Sequence, residues 1–203
     1  TGSARDGISS IGQVSSLDAS PIDVNLTAIF DRLCPVGVGR GLFVREAWLG
    51  LWLGWHIAIG GIGTDAAKRG ILRAATDKTP DLKRLDLEDL PPEDFVALFS
   101  TKYLSDNGEL RSIDGIESCV DQLGSRIEFI ERGRADRNSI SEAGHHSRHR
   151  RFDHHFTGST WGRAAKRGEL LPITNALLNR FEYERLLVLW VHWANTKQRV
   201  PHL

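Results

Sequence analysis

The stretch "AWLGLWLGWHIAIGGIG", Ala47 to Gly63, constrains the chain more than any other segment: seventeen residues with three Trp, five Gly and no charge. In a water-facing helix each Gly costs about 0.8–1.0 kcal/mol relative to Ala, whereas Gly is frequent in membrane helices. At helical spacing Trp48, Trp52 and Trp55 share one face, at i, i+4 and i+7. Gly50, Gly54 and Gly61 fall on the opposite face, and Gly50 with Gly54 makes a GxxxG step that admits a second helix closely. The spacing therefore predicts a helix whose glycines pack on a partner and whose tryptophans meet lipid or its headgroup boundary. Seventeen residues at about 1.5 Å each span roughly 26 Å, just short of a hydrocarbon core of about 30 Å. The candidate transmembrane helix is accordingly drawn at 42–63, with Arg45 and Glu46 snorkelling. His56, near its middle, is read as bonding a neighbouring helix rather than a haem or a metal.

No segment shows sustained alternation of apolar and polar residues. The expected fold class is all-α: an irregular helical protein with one Trp/Gly-rich helix embedded in a membrane and a helical soluble part. The segments expected are an extended N-terminal tail at 1–22, a helical segment at 23–76, a linker at 77–92, a helix-loop-helix at 93–140, a His/Arg-rich loop at 141–168 and a C-terminal helix at 169–203. Thr64-Asp65 reads as the start of "AAKRGILRAA". Pro91-Pro92-Glu93-Asp94 reads as the start of a helix carrying Phe95, Leu98, Phe99 and Tyr103. Ile113, Ile116, Val120, Leu123, Ile127 and Ile130 step by three and four, the pattern of a buried helical seam. The Ser- and Gly-rich tail, on a chain that begins with Thr and contains no Met, is expected to be held by other subunits.

Composition excludes several classes. Twenty-six basic and 26 acidic residues cancel, so any attraction to nucleic acid or an anionic surface has to come from a local patch. Cys34 and Cys119 are too few for a disulfide scaffold and read as free thiols. "GVGRG", Gly37 to Gly41, lacks the preceding strand pattern and the following Lys-Ser/Thr of a phosphate loop.

Three stretches carry candidate chemistry. "DNGELRSIDGIE", Asp106 to Glu117, resembles an EF-hand loop, but Gly108, Leu110 and Arg111 stand where the family has two oxygen ligands and its turn glycine. A helix-loop-helix without calcium is expected. "HHSRHRRFDHHF", His145 to Phe156, holds five of the eight histidines. The basic patch there comprises Arg148, Arg150, Arg151, Arg163, Lys166 and Arg167, and its arginines repel a cation, so no metal and no cofactor is expected. Arg148-His149 followed by His154 resembles the R-polar-x4-H pattern of HEPN ribonucleases. That resemblance implies an all-α cytoplasmic nuclease in which Arg148 stabilises the scissile phosphate and His154 acts as acid or base.

No Walker loop, GxSxG, HExxH or paired CxxC is present. The leading expectation is a non-catalytic structural subunit of a large membrane complex, of the mitochondrial inner membrane, whose partners are other subunits and membrane lipid. Nucleic acid enters only through the alternative, the HEPN-like ribonuclease.

Overall fold

The computed structural model describes residues 7–105, 124–130, 135–166 and 168–197, with backbone alone at 135–139. A long strand, β1 (Val14–Thr27), runs through the middle of the molecule. It turns through a tip closed by a hydrogen bond from Ala28 N to Cys34 O at 2.8 Å and returns as β2 (Pro35–Glu46). β3 (Trp52–Ala58) follows across a second turn. Helices α1 (Thr64–Ala75) and α2 (Thr79–Arg84) come next, then β4 (Lys102–Ser105) and β5 (Arg126–Phe129). Helices α3 (Ala135–Arg151) and α4 (Arg180–Thr196) complete the fold. The five strands lie in the order β3-β2-β1-β4-β5. β1 pairs antiparallel with β2 and parallel with β4, so the sheet is mixed.

Helices cover both faces. Leu17, Leu42, Val44, Leu53 and Tyr103 point to the face of α1, where Ala67, Ile71 and Ala74 meet them. Phe43, Trp52, Trp55 and Ile57 point to the other face, against Phe152 and the Tyr183, Leu187, Val188 and Trp190 stripe of α4. Strands buried on two faces read as continuous apolar runs rather than as alternation. That is why the expected all-α class is replaced by a mixed α/β layer structure.

The Trp/Gly stretch shows the same physics. It is a turn and a strand, not a helix. The buried Glu46 carboxylate accepts hydrogen bonds from Trp48 N at 2.9 Å and Leu49 N at 2.6 Å, and Gly50 takes φ +75° to close the turn. A register shift opposite Val44–Arg45 puts Trp52 and Trp55 on one face despite their odd separation. Both rings are buried, Trp48 stands at the turn, and Gly61 has open space around it. Gly54 lies against α1, where an added Cβ would stand 2.3 Å from Gly70 O. No described helix is long and apolar enough to cross a membrane, so the span drawn at 42–63, its lipid contacts and the inner-membrane placement are corrected.

Other segments also differ from expectation. Residues 14–22, assigned to the tail, are the first half of the central strand. The "GVGRG" turn lies within β2. Pro92–Asp94 makes a single 3-10 turn, and Tyr103 belongs to β4. Ile127 lies in β5, not in a helical seam. The rest of that seam before residue 124, and the EF-hand-like loop, lie outside the described residues. The His/Arg-rich loop begins as the second half of α3. "AAKRGILRAA" is helical, with Ala66, Ala67, Gly70, Ile71 and Ala74 turned inward at three- and four-residue spacing.

Candidate functional site on the α3 face

Strand β1 carries an unusual load for a buried strand: Ser15, Ser16, Asp18 and Ser20 all lie inside. Asp18 pairs in register with Phe43 and faces α3. Among the described residues its ionisable partner there is His145, whose Nε2 lies 3.3 Å from Asp18 Oδ2. Neither imidazole nitrogen is aligned for a hydrogen bond, although the distance is that of an ion pair. Burial, with the Arg148 charge beside it, lowers the His145 imidazole below its ordinary value against the pull of Asp18. At neutral pH the His145 ring is therefore uncharged. A carboxylate buried on the central strand is costly unless it is paired, and His145 is the group set beside it.

One turn further along α3 the situation is reversed. Arg148 is fully buried, and its Nε lies 3.3 Å from Asp153 Oδ2. Its Nη2 donates to Pro21 O at 2.8 Å, and the guanidinium sits 4.4 Å over the Phe43 ring. Tyr183 OH donates to Asp153 Oδ1 at 2.7 Å, and His149 Nδ1 reaches Asp153 Oδ2 at 2.8 Å. Burial pushes the Asp153 carboxyl up, but Arg148, His149 and Tyr183 outweigh it and hold it below the usual carboxylate range. Burial and the Asp153 charge push the Tyr183 phenol well up, so it serves as a neutral donor. The chain ties this knot to its loop through Asp23, which takes His154 Nε2 at 3.0 Å and Thr160 Oγ1 at 3.4 Å.

The residues of the HEPN pattern are thereby accounted for. Arg148 has no route to a scissile phosphate, and His154 faces Asp23. The members of the basic patch have separate surroundings, as far as they are described. Arg150 and Arg151 stand on the outer side of α3, Arg163 is neutralised by Glu169 at 2.8 Å, and Arg167 lies outside the described residues. Asp18, Asp23, Asp153 and Tyr183 were not singled out by sequence reasoning. The available signal was the run of polar residues inside "VSSLDASPIDVNL", which a tail reading discounts and a strand reading places in the core.

Buried carboxylates can act together by converging on divalent cations. Among the described residues no three His, Cys, Asp or Glu side chains are grouped to hold a metal ion. On α3, the side chains nearest β1 are neutral or basic, and Glu142 is exposed. Asp106, which follows Ser105 at the end of β4, lies outside the described residues.

Comparison with known proteins places this architecture. Among solved structures, a chain of the cryo-EM structure of the simian T-cell lymphotropic virus intasome in complex with PP2A regulatory subunit B56 gamma matches with a TM-score of 0.56 at 11% identity. The match covers 94% of this chain and 51% of that one, so this chain spans about half the length of its structural neighbour. The likeness shows the fold: a mixed α/β, integrase-like domain with a five-stranded sheet. No curated protein matches the chain. The TnsB C-terminal domain family matches over residues 16–158, from the start of β1 past the end of α3. The expectations of a mitochondrial structural subunit and of a HEPN ribonuclease both give way to this match, and with them the membrane and lipid partners. A sheet built around β1, closed by α3 and matched over most of its length, belongs to the TnsB C-terminal domain family.

Proposed function

We propose that this chain is the integrase-like domain of a DNA transposition protein, binding DNA and presenting Asp18 to the strand that is processed. The observation that supports the reading is the buried Asp18 carboxylate on the central strand, beside His145 and within the segment that matches the TnsB C-terminal domain family. The formal charge of the chain is zero, so affinity for DNA comes from local cationic groups. Binding of a fluorescent duplex should therefore be weak, with Kd on the order of 10⁻⁴ to 10⁻⁶ M, and should fall linearly on a log–log plot against salt. A folded chain that leaves the duplex free at 50 mM salt overturns the reading.

Asp18→Asn separates chemistry from folding. Asparagine keeps the volume and an oxygen facing His145, so stability should change by no more than about 1 kcal/mol. Duplex affinity should be kept, while strand transfer by the full transposition protein is lost. A clear drop in melting temperature would show that Asp18 is a structural residue and would remove it from the proposed site.

A further inference from the structure

We infer that the cleft beside the edge strand β3, between α1 and the start of α4, seats a phosphodiester of the DNA backbone; the inference rests on the DNA-binding reading above. The cleft has a volume of about 370 Å³ and draws arginines from three helices: Arg69 and Arg73 of α1, Arg84 of α2 and Arg180 of α4.

Two of these arginines build a rigid floor. Arg73 Nε meets Asp81 Oδ2 at 2.7 Å, and its Nη1 donates to Trp55 O at 2.6 Å. Arg84 grips the buried Glu184 with both nitrogens, at 2.6 and 3.1 Å, and Trp55 Nε1 donates to the same carboxylate at 3.2 Å. Asp81 and Glu184 are thus consumed within the floor. The other two arginines stand over it without a carboxylate partner among the described residues. Arg180 donates only to Ile57 O, at 3.2 Å, and its guanidinium lies 4.6 Å over the Phe181 ring, which orients the fork. Arg69 is exposed at the mouth. Four guanidinium groups against two carboxylates leave the cleft cationic in a chain whose net charge is zero.

His56 on β3 reports that field. Burial and then the charges of Arg73 and Arg69 lower its imidazole below the ordinary value, against the opposing charge of Glu184. A cation is repelled here and an anion is drawn in. Fixed guanidinium forks suit the tetrahedral oxygens of phosphate, which accept two parallel hydrogen bonds.

The test compares the full chain with R69Q/R180Q and R69K/R180K, using anisotropy of a labelled duplex across a salt series. Each phosphate contact contributes about 0.9 to the log–log slope, so the glutamine pair should flatten the slope by about 2 and weaken binding at low salt, while the lysine pair keeps it. Equal slopes for wild type and the glutamine pair overturn the inference and leave the DNA reading standing. A wild type that binds no duplex removes that reading and the inference with it. If the glutamine pair keeps its DNA slope but loses binding to polyglutamate, the cleft takes an acidic protein segment and the phosphodiester is ruled out. Melting curves check the fold. Should Arg180→Gln destabilise it, Arg69→Gln alone, at an exposed position, must still flatten the slope by about 1.

Discussion

Replacing Asp153 with alanine should cost about 3–5 kcal/mol. The carboxylate is fully buried and joins three elements: Arg148 of α3, Tyr183 of α4 and, through His149, the loop held by Asp23. Its removal leaves the Arg148 charge in the core, where Nε and Nη1 have no aligned hydrogen-bond acceptor even in the intact protein. It also strips Tyr183 OH of its acceptor. Urea denaturation of wild type and variant measures the difference, and a loss under about 1 kcal/mol would show that the network is idle. Asp153→Asn keeps the volume and one acceptor oxygen, so it should fall between the two.

The same network fixes a pH dependence whose sign can be worked out. Asp153 has its folded pKa depressed, so its contribution is present above its unfolded value near 3.8 and is lost as pH falls through the folded value. His145 and His56 are also depressed, from 6.5. Just below pH 6.5 the unfolded chain therefore binds more protons than the native one, and stability declines as pH falls. Wild type should lose stability in two stages, a histidine stage below 6.5 and a carboxylate stage below about 4. In Asp153→Ala the histidine stage should persist, while the part of the acid stage due to Asp153 is gone.

Gly54→Ala should destabilise the domain by about 1–3 kcal/mol, and Gly54→Leu by more. The Cβ of an alanine would meet Gly70 O at 2.3 Å and Ala74 N at 2.9 Å, both backbone atoms of α1 that no rotamer change can move. The sheet and α1 touch through two glycines: Gly54 of β3 lies against Gly70 O, and a Cβ on Gly70 would strike Leu42 of β2 at 2.4 Å. Gly61→Ala is the control, because its Cβ meets open space. Thermal melts of the isolated chain distinguish this picture from helix packing in a membrane. In a membrane helix, substitution at Gly54 would break association and leave the fold intact. Here the fold itself should weaken, and a melting temperature unchanged by Gly54→Ala would contradict the close approach of β3 to α1.

Some of this was legible in the sequence. Helix α1 repeats its small and apolar residues at three- and four-residue intervals and presents a polar outer face, a pattern that local geometry alone imposes. The balanced charge, also plain in the sequence, leaves any nucleic-acid contact to a local patch. The order in which Trp, Gly and apolar residues follow one another from Ala47 to Gly63 was equally plain, but its meaning was not. A helix in lipid and a strand covered on both faces each demand an uncharged run. The register shift beside β3 then gave the tryptophans a spacing that mimics a helical face.

What only the tertiary structure decided is which charges meet. The sequence set Arg148 and His154 close together and invited a pairing of their chemistry. The fold instead sends Arg148 inward to Asp153 and turns His154 to Asp23, a residue of β1. It likewise gathers Arg69, Arg73, Arg84 and Arg180 from three separate helices around one cleft, a grouping no local stretch of sequence displays. Local pattern encodes periodicity, because neighbours along the chain share one backbone geometry. A charge's partner depends on strand order and helix docking, which many distant contacts fix together. Asp18 therefore read as part of a polar tail until β2, β4 and α3 closed around it.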